Sequence, residues 1–351
     1  MSELHVVLPE AVDDAGRPSG GNTYDRRVIE GLAAGGWDVH RHLVPGSWPE
    51  PEPAARTALH TAIAGIPNDS VLLVDGLIGS AADQVLVPAA RRLRLVLLVH
   101  MPLGAAPGPA RERERAVVDC AAAVITTSSW TRDQLLDWYR ARPDRLHVAR
   151  PGVDRAALSP GTSAGGELLC VAAVSAHKGH DALVQALASV AELPWRCRFV
   201  GSLDRDPAFV AALRADVAAL RLTERVEFAG PRVGAELEEC YATADLVVLA
   251  SRGETYGMVL AEALAHGVPV LTTDVGGVRE ALGADGDRLA GLVVPPGDPP
   301  ALAAAMRRWL TEPQLRDELR HRAVQRRDGL AGWGVTAREL AAVLSQLAGG
   351  G

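Results

Sequence analysis

Two α/β domains in tandem, each a parallel sheet flanked by helices, are predicted for this chain of 351 residues on three observations. Short apolar runs rich in Val, Leu and Ile alternate with helical patterns along most of the length. One stretch rich in Pro, Gly, Ser and Thr interrupts that alternation near the middle. The hydrophobic share, 48%, is enough for sizeable cores.

In the first half, Leu4–Leu8, Asp38–Val44, Ser70–Asp75, Leu95–Val99 and Ala123–Thr126 read as strands buried on both faces. Helical patterns lie between them, among them Thr23–Ala34, Arg111–Ala121 and Thr131–Arg140, the last with Ser128 or Ser129 as N-cap. Arg150-Pro151-Gly152-Val153-Asp154 breaks the pattern and the loop-like run Ser159–Gly166 follows, which sets the domain boundary there. A second series then places strands at Leu168–Val174, Arg196–Val200, Val226–Phe228, Leu246–Leu249, Pro269–Thr272 and Gly291–Val294. Its helices are expected at Gly179–Ala191, Pro207–Leu220, Val233–Thr243, Gly257–Ala265 and Pro300–Leu310, and a last helix near Thr336–Leu347 follows Trp333-Gly334. Repeated βαβ units imply parallel sheets covered on both faces. Two such domains are expected to leave a cleft at the carboxyl ends of the strands, where open α/β sheets bind ligands.

Composition removes several function classes. A net charge of −7 argues against a nucleic-acid partner. No apolar run approaches the ~20 residues of a membrane span. Met1–Pro9 lacks a basic stretch followed by an apolar one, so no signal peptide is expected. Cys120, Cys170, Cys197 and Cys240 lie far apart and read as reduced thiols in a cytoplasmic protein. No G-x-G-x-x-G follows the first strand, which argues against a NAD-dependent dehydrogenase.

The strongest chemical signal is Ser251-Arg252-Gly253-Glu254-Thr255-Tyr256-Gly257-Met258-Val259-Leu260-Ala261-Glu262, which follows a buried strand and opens a helix. Unpaired amides near Gly257, at the positive end of the helix dipole, form an anion site. Glu254 and Glu262 can then face one ligand carrying hydroxyls and phosphates, since a carboxylate accepts two hydrogen bonds from a vicinal diol. The plainer account makes Glu254 a helix-start acid and Glu262 a solvated charge. Gly276-Gly277, opening another helix at the next strand end with Glu280 behind it, favours the ligand site.

Lys178 is the only lysine among 36 basic residues. A cation at a helix start opposes the dipole unless an anion binds there. A compact ammonium suits a seat between two phosphate oxygens, where the planar arginine fork fits less well. His100 stands just after a buried strand, before Met101-Pro102. Gly20-Gly21 reads either as a ligand loop or as a flexible helix start. Asp204-Arg205-Asp206 and Asp285-Gly286-Asp287 have the D-x-D spacing of metal-dependent transferases, but both fall in predicted turns, and no metal site is expected. The arginines between Arg140 and Arg150 read as a solvated face.

The E-x7-E pair Glu254 and Glu262, inside RGETYGMVLAEALAHGVPVLTTDVGG, resembles the donor-binding signature of family 4 retaining glycosyltransferases. Ser19-Gly20-Gly21, His100-Met101-Pro102, Arg150–Asp154 and Ala176-His177-Lys178-Gly179-His180 are similar to further segments of that family, so the resemblance covers nearly the whole chain. It implies the GT-B fold: a Rossmann-like acceptor domain over residues 1–153, with a C-terminal helix at about 334–351 packing back on it, and a Rossmann-like donor domain over residues 154–333. It implies that Glu262 holds the donor ribose and Glu254 the transferred sugar. Backbone at Thr255, Tyr256, Gly257, Met258 and Val259 would meet the sugar and distal phosphate. Lys178 would neutralise the departing diphosphate and His100 would contact the transferred sugar. Gly20 and Gly21 would border the donor.

The implied activity is retaining, metal-independent transfer of a hexose-type sugar from a UDP- or GDP-sugar to a small-molecule, glycan or lipid acceptor, with no cofactor and at most peripheral membrane association. A sugar-nucleotide epimerase or hydrolase, or a non-catalytic sugar-nucleotide-binding protein, are the alternatives. The chain departs from the family at Val174-Ser175-Ala176-His177, which lacks the arginine expected before the lysine. His177, Ser175, Arg252 or Arg279 are the candidate replacements.

Overall fold

The computed structural model describes residues 2–283 and 289–349. The chain divides into two compact units: Met1–Asp14 with Gly21–Gly152 and Trp333–Gly351, and Ala15–Gly20 with Val153–Gly332. Both are α/β, and in each a six-stranded parallel sheet carries the core.

The first unit runs through β1 (Glu3–Pro9), α1 (Gly20–Ala34), β2 (Asp38–Val44), α2 (Pro53–Ala64), β3 (Val71–Asp75), α3 (Gly76–Gly79), α4 (Asp83–Ala89), β4 (Arg94–Val99), α5 (Pro109–Cys120), β5 (Ala123–Thr126), α6 (Ser129–Tyr139) and β6 (Leu146–Val148). Its sheet order is β2-β1-β3-β4-β5-β6. The order reverses at β1 and β3, with Leu4 opposite Val71, so the ligand-binding position of such a sheet lies beyond the carboxyl ends of these strands. All five residues of β3 and five of six in β4 are buried, as near-continuous apolar runs require. Leu59 and Ile63 of α2, Leu86 of α4, Val117 of α5 and Leu135 of α6 pack against them. Ser128, not Ser129, caps α6, its side chain accepting from the Thr131 amide.

The second unit contains β7 (Glu167–Val171), α7 (His180–Ala188), β8 (Arg196–Val200), α8 (Pro207–Ala219), β9 (Val226–Gly230), α9 (Ala235–Ala242), β10 (Leu246–Leu249), α10 (Met258–Ala265), β11 (Val270–Thr273), α11 (Val278–Leu282), β12 (Gly291–Val294), α12 (Pro299–Thr311) and α13 (Pro313–Asp328). Its order, β12-β11-β10-β7-β8-β9, is that of a dinucleotide-binding sheet, reversing at β7 and β10. The last helix, α14 (Trp333–Ala348), belongs to the first unit. There Thr336 Oγ1 donates to the Arg150 carbonyl at 2.7 Å, and Arg94 donates to the Leu347 carbonyl. Among the described residues, no helix is long and apolar enough to cross a membrane.

Four helices, α2, α3, α4 and α13, have no counterpart in the sequence expectations. α2 buries only Ala55, Leu59 and Ile63, and α13 only Arg316, Leu319 and Ala323. Each of these two buries about one residue per turn or fewer, too narrow a stripe for hydrophobic periodicity to announce.

Candidate functional site

In the second unit, the loops after β7 and β10 meet where the strand order reverses. After β7 the chain makes a single turn over Ala176–Lys178 and enters α7 through Gly179, whose φ is +68°. A Cβ on Gly179 would stand 1.9 Å from the Ala250 carbonyl oxygen, so only glycine lets this turn seat on the end of β10. The two loops are tied directly, the Arg252 amide donating to the His177 carbonyl at 2.9 Å.

That tie brings Lys178 to Glu254. Lys178 Nζ donates to Glu254 Oε1 at 2.6 Å, and Ser251 Oγ donates to the same oxygen at 2.8 Å. The Glu254 carbonyl accepts from the Gly277 amide at 3.1 Å. Gly276, with φ +55°, passes so close that a Cβ would fall 1.6 Å from this carbonyl. The paired glycines that sequence reading noted therefore fix the backbone of Glu254. Gly257 caps α10, and the helix proper begins at Met258. The Tyr256 ring lies in the core, and Thr255, Met258 and Val259 are half-buried around the helix start. Gly20, grouped with this unit, lies where a Cβ would be 3.1 Å from Met258 Sδ.

Glu262 is not the solvated charge of the plainer account. Tyr241 Oη donates to its Oε2 at 2.7 Å. Burial pushes the Glu262 carboxyl above the usual range; the Tyr241 bond opposes this and Glu238 adds to it.

The arginine alternatives are both engaged with carboxylates. Arg252 reaches Asp181 at 2.6 and 3.0 Å and also donates to the Ala176 carbonyl, bracing the turn that carries Lys178. Arg279 forms a two-pronged pair with Asp274 at 2.9 and 2.7 Å. The His177 ring lies against Gly253, where a Cβ would be 3.0 Å from its Cε1. Ser175 precedes the turn, its carbonyl accepting from the Lys178 amide at 3.1 Å.

In the first unit, β4 delivers His100 to the reversal point of the other sheet. Its Nε2 lies 2.7 Å from Asp25 Oδ1 and 3.5 Å from Asp75 Oδ2. Gly21 lies beside the ring, a Cβ there falling 3.4 Å from His100 Cδ2. The segment after His100 is anchored by Glu114, a fully buried carboxylate. It accepts from Ser80 Oγ at 2.6 Å, from the Leu103 and Gly104 amides at 2.9 Å, and from Tyr139 Oη.

Asp25, Asp75, Glu114 and Tyr241 were absent from the sequence reading. Asp75 carried a usable signal, a carboxylate ending the fully apolar run Val71–Val74. The others sit inside helices, where nothing marks a carboxylate or phenol as inward-facing. The D-x-D candidates resolve differently. Asp206 caps α8 by accepting from the Phe209 amide at 3.1 Å, and Asp285-Gly286-Asp287 lies outside the described residues. Arg142 pairs with Asp144 on the surface and Arg145 donates to the Ala121 carbonyl.

Comparison with known proteins adds an independent line. The family described as Glycosyl transferases group 1 matches residues 165–312, and that described as Glycosyltransferase Family 4 matches residues 76–157. A D-inositol 3-phosphate glycosyltransferase of Kineococcus radiotolerans is 35% identical over 284 residues, 73% of this chain and 64% of that protein. The chain thus spans somewhat less than two thirds of that relative's length. A D-inositol 3-phosphate glycosyltransferase 1 of Catenulispora acidiphila is 32% identical over 301 residues, 79% of this chain and 70% of that protein. In structure, sucrose-phosphate synthase from Thermosynechococcus elongatus superposes with a TM-score of 0.85 at 21% identity, covering 100% of both chains. Anabaena Alr3699/HepE, solved in complex with UDP-glucose, does so with a TM-score of 0.78 at 19% identity, covering 99% of this chain and 100% of that one.

Proposed function

This chain belongs to glycosyltransferase family 4, the glycosyl transferases group 1, and from that footing we propose that it moves a hexose-type sugar from a nucleoside-diphosphate sugar to an acceptor hydroxyl with retention of anomeric configuration. The observation that carries the proposal is the convergence of Lys178, Glu254 and the start of α10 at the reversal point of the second sheet. Lys178 and Glu254 neutralise each other in this state. An incoming diphosphate takes the ammonium, and the released carboxylate accepts from hydroxyls of the transferred sugar.

As the bond between C1 and the β-phosphate oxygen breaks, negative charge grows on that phosphate. Lys178 and the amides opening α10 stand ready for it, and fixed donors aimed at developing charge are the largest catalytic term in most such sites. The acceptor oxygen bonds C1 on the face the phosphate leaves, and the acceptor's proton passes to the departing phosphate oxygen. Glu262, held by Tyr241, is assigned to the ribose hydroxyls. His100 is assigned to a hydroxyl of the transferred sugar. No metal ion is required in this scheme.

UDP-sugars are the first donors to test, because HepE was solved with UDP and with UDP-glucose, and GDP-sugars come next. D-inositol 3-phosphate is the first acceptor, after the names of the curated relatives. A cytoplasmic setting, where thiols stay reduced, fits the four free cysteines. The test is product analysis by NMR with and without EDTA. A glycoside with the donor's anomeric configuration, formed equally in EDTA, is expected. An inverted anomer, or donor consumed at the same rate with no acceptor present, overturns the proposal.

A further inference from the structure

The first unit holds an arrangement that the transfer scheme leaves unused. Asp25 of α1 and Asp75 at the end of β3 are 2% and 3% exposed, and both carboxyls face Nε2 of His100. Two buried carboxylates against one imidazole make a costly cluster unless protons or a cation compensate. The spacing selects protons. Nε2 to Asp25 Oδ1 is 2.7 Å, a charge-assisted hydrogen bond, whereas two ligands around a tetrahedral zinc stand about 3.3 Å apart at its usual bond lengths. Apart from the two carboxyls, a cavity of about 10 Å³ beneath the pair is walled by apolar residues such as Val6, Leu73 and Leu98, and it offers them no donor.

We propose that Asp25 and Asp75 are positioning residues that fix the His100 imidazole with its Nε2–H directed into the protein and Nδ1 presented to a substrate hydroxyl. The proposal deepens the functional reading above and rests on it for the identity of the hydroxyl. Nδ1 has no hydrogen-bond partner among the described residues, and the side chain is 14% exposed. Gly21 leaves the ring its space, and the Tyr24 ring meets it edge-on at 5.1 Å.

Protonation follows the same geometry. Burial works against a charged His100, but the charge and hydrogen bond of Asp25, with a further contribution from Asp75, outweigh it and raise the imidazole above its usual value. Burial, then the charge of Asp25, pushes Asp75 up to about 7, with His100 and the Leu77 amide opposing. Tyr24, the other titratable group against the ring, is held neutral by burial. The raised value extends to higher pH the range in which the ring carries both protons. One is bound by Asp25 and the other, on Nδ1, is a donor for a hydroxyl oxygen.

The test uses the full chain with ¹⁵N-labelled histidine and the variants Asp25→Asn and Asp75→Asn. In the wild type, His100 titrates above the ordinary value of about 6.5, and its neutral form carries hydrogen on Nε2. Asp25→Asn lowers that titration by about one unit or more, and Asp75→Asn lowers it less, because Asp25 makes the shorter contact. In donor assays, the pH at which KM climbs moves down with the titration while kcat at low pH holds. A neutral ring protonated on Nδ1, or a titration that Asp25→Asn leaves in place, overturns the proposal. The tautomer is read on the wild type without substrate. It therefore decides the matter even if Asp25→Asn does not fold, and independently of whether the chain proves to transfer sugar.

Discussion

Lys178 Nζ and Glu254 Oε1 are 2.6 Å apart, with the lysine side chain 28% exposed and the glutamate 13%. Each is the other's partner, and the roles assigned to both require that bond to open. Replacing Lys178 by alanine removes the cation facing the leaving phosphate. Turnover should fall by an amount equivalent to about 2–4 kcal/mol, by analogy with the loss of an oxyanion donor. Steady-state kinetics checks this, and near wild-type turnover in the alanine variant would remove Lys178 from the mechanism.

Glu262 and Tyr241 separate binding from stability. Glu262→Gln weakens acceptance of the ribose hydroxyls and should raise the dissociation constant for the nucleotide about tenfold or more, as for hydrogen bonds to charged groups. Tyr241→Phe should cost about 1 kcal/mol of stability with a smaller effect on binding, since the Glu262 carboxyl group itself remains. Calorimetry on both variants gives the comparison. Unchanged nucleotide affinity in Glu262→Gln would leave the residue a purely structural partner of Tyr241.

Glu114 is a structural requirement for the segment that follows His100. Glu114→Ala strands the Leu103 and Gly104 amides, Ser80 and the Tyr139 phenol together. A loss of roughly 3 kcal/mol or more in urea unfolding is expected, since each buried group left unmet costs about 1–3 kcal/mol. A variant as stable as the wild type would show that water or a shift of the chain replaces the carboxylate.

Asp75 gives stability a pH dependence of definite sign. Its folded value, about 7, lies above the unfolded value near 3.9, so the folded state holds the proton more tightly. That stabilisation is present below about pH 4 and is lost as pH rises through about 7. Asp75→Asn should therefore lose less thermal stability than the wild type between pH 5 and pH 8. Parallel curves for the two proteins would refute the shift.

Gly179→Ala and Gly276→Ala should fold poorly, because a methyl group at either meets a carbonyl oxygen under 2 Å away. Gly297→Ala is the control. Its φ is +68°, yet nothing lies within 4 Å, so only the backbone cost of about 1–2 kcal/mol applies. Thermal unfolding of the three variants distinguishes packing from backbone preference.

Much of this site is legible in sequence because strand ends announce themselves. Glu254, Gly257 and Lys178 each follow an apolar run and precede a helix, so their position at a sheet's carboxyl edge follows from periodicity. The pairing of Lys178 with Glu254 was not legible. It joins residues 76 positions apart and depends on β7 and β10 lying side by side, and strand order is a property of the folded sheet. Arg252 shows the same limit, since composition marks it as a cation but only the fold shows it spent on Asp181. Asp25 was hidden more deeply, lying midway along α1, where a charged residue ordinarily faces water.

The most direct test of the central claim, that Lys178 and the start of α10 seat a donor diphosphate, is isothermal titration of wild type and Lys178→Ala with UDP, GDP and ADP, and with the corresponding nucleosides. At least one diphosphate should bind the wild type and lose affinity about a hundredfold in the variant, a difference of about 2.7 kcal/mol, while its nucleoside binds both alike. Equal binding of that diphosphate to both proteins, or no binding of any of the three to the wild type, would contradict the account.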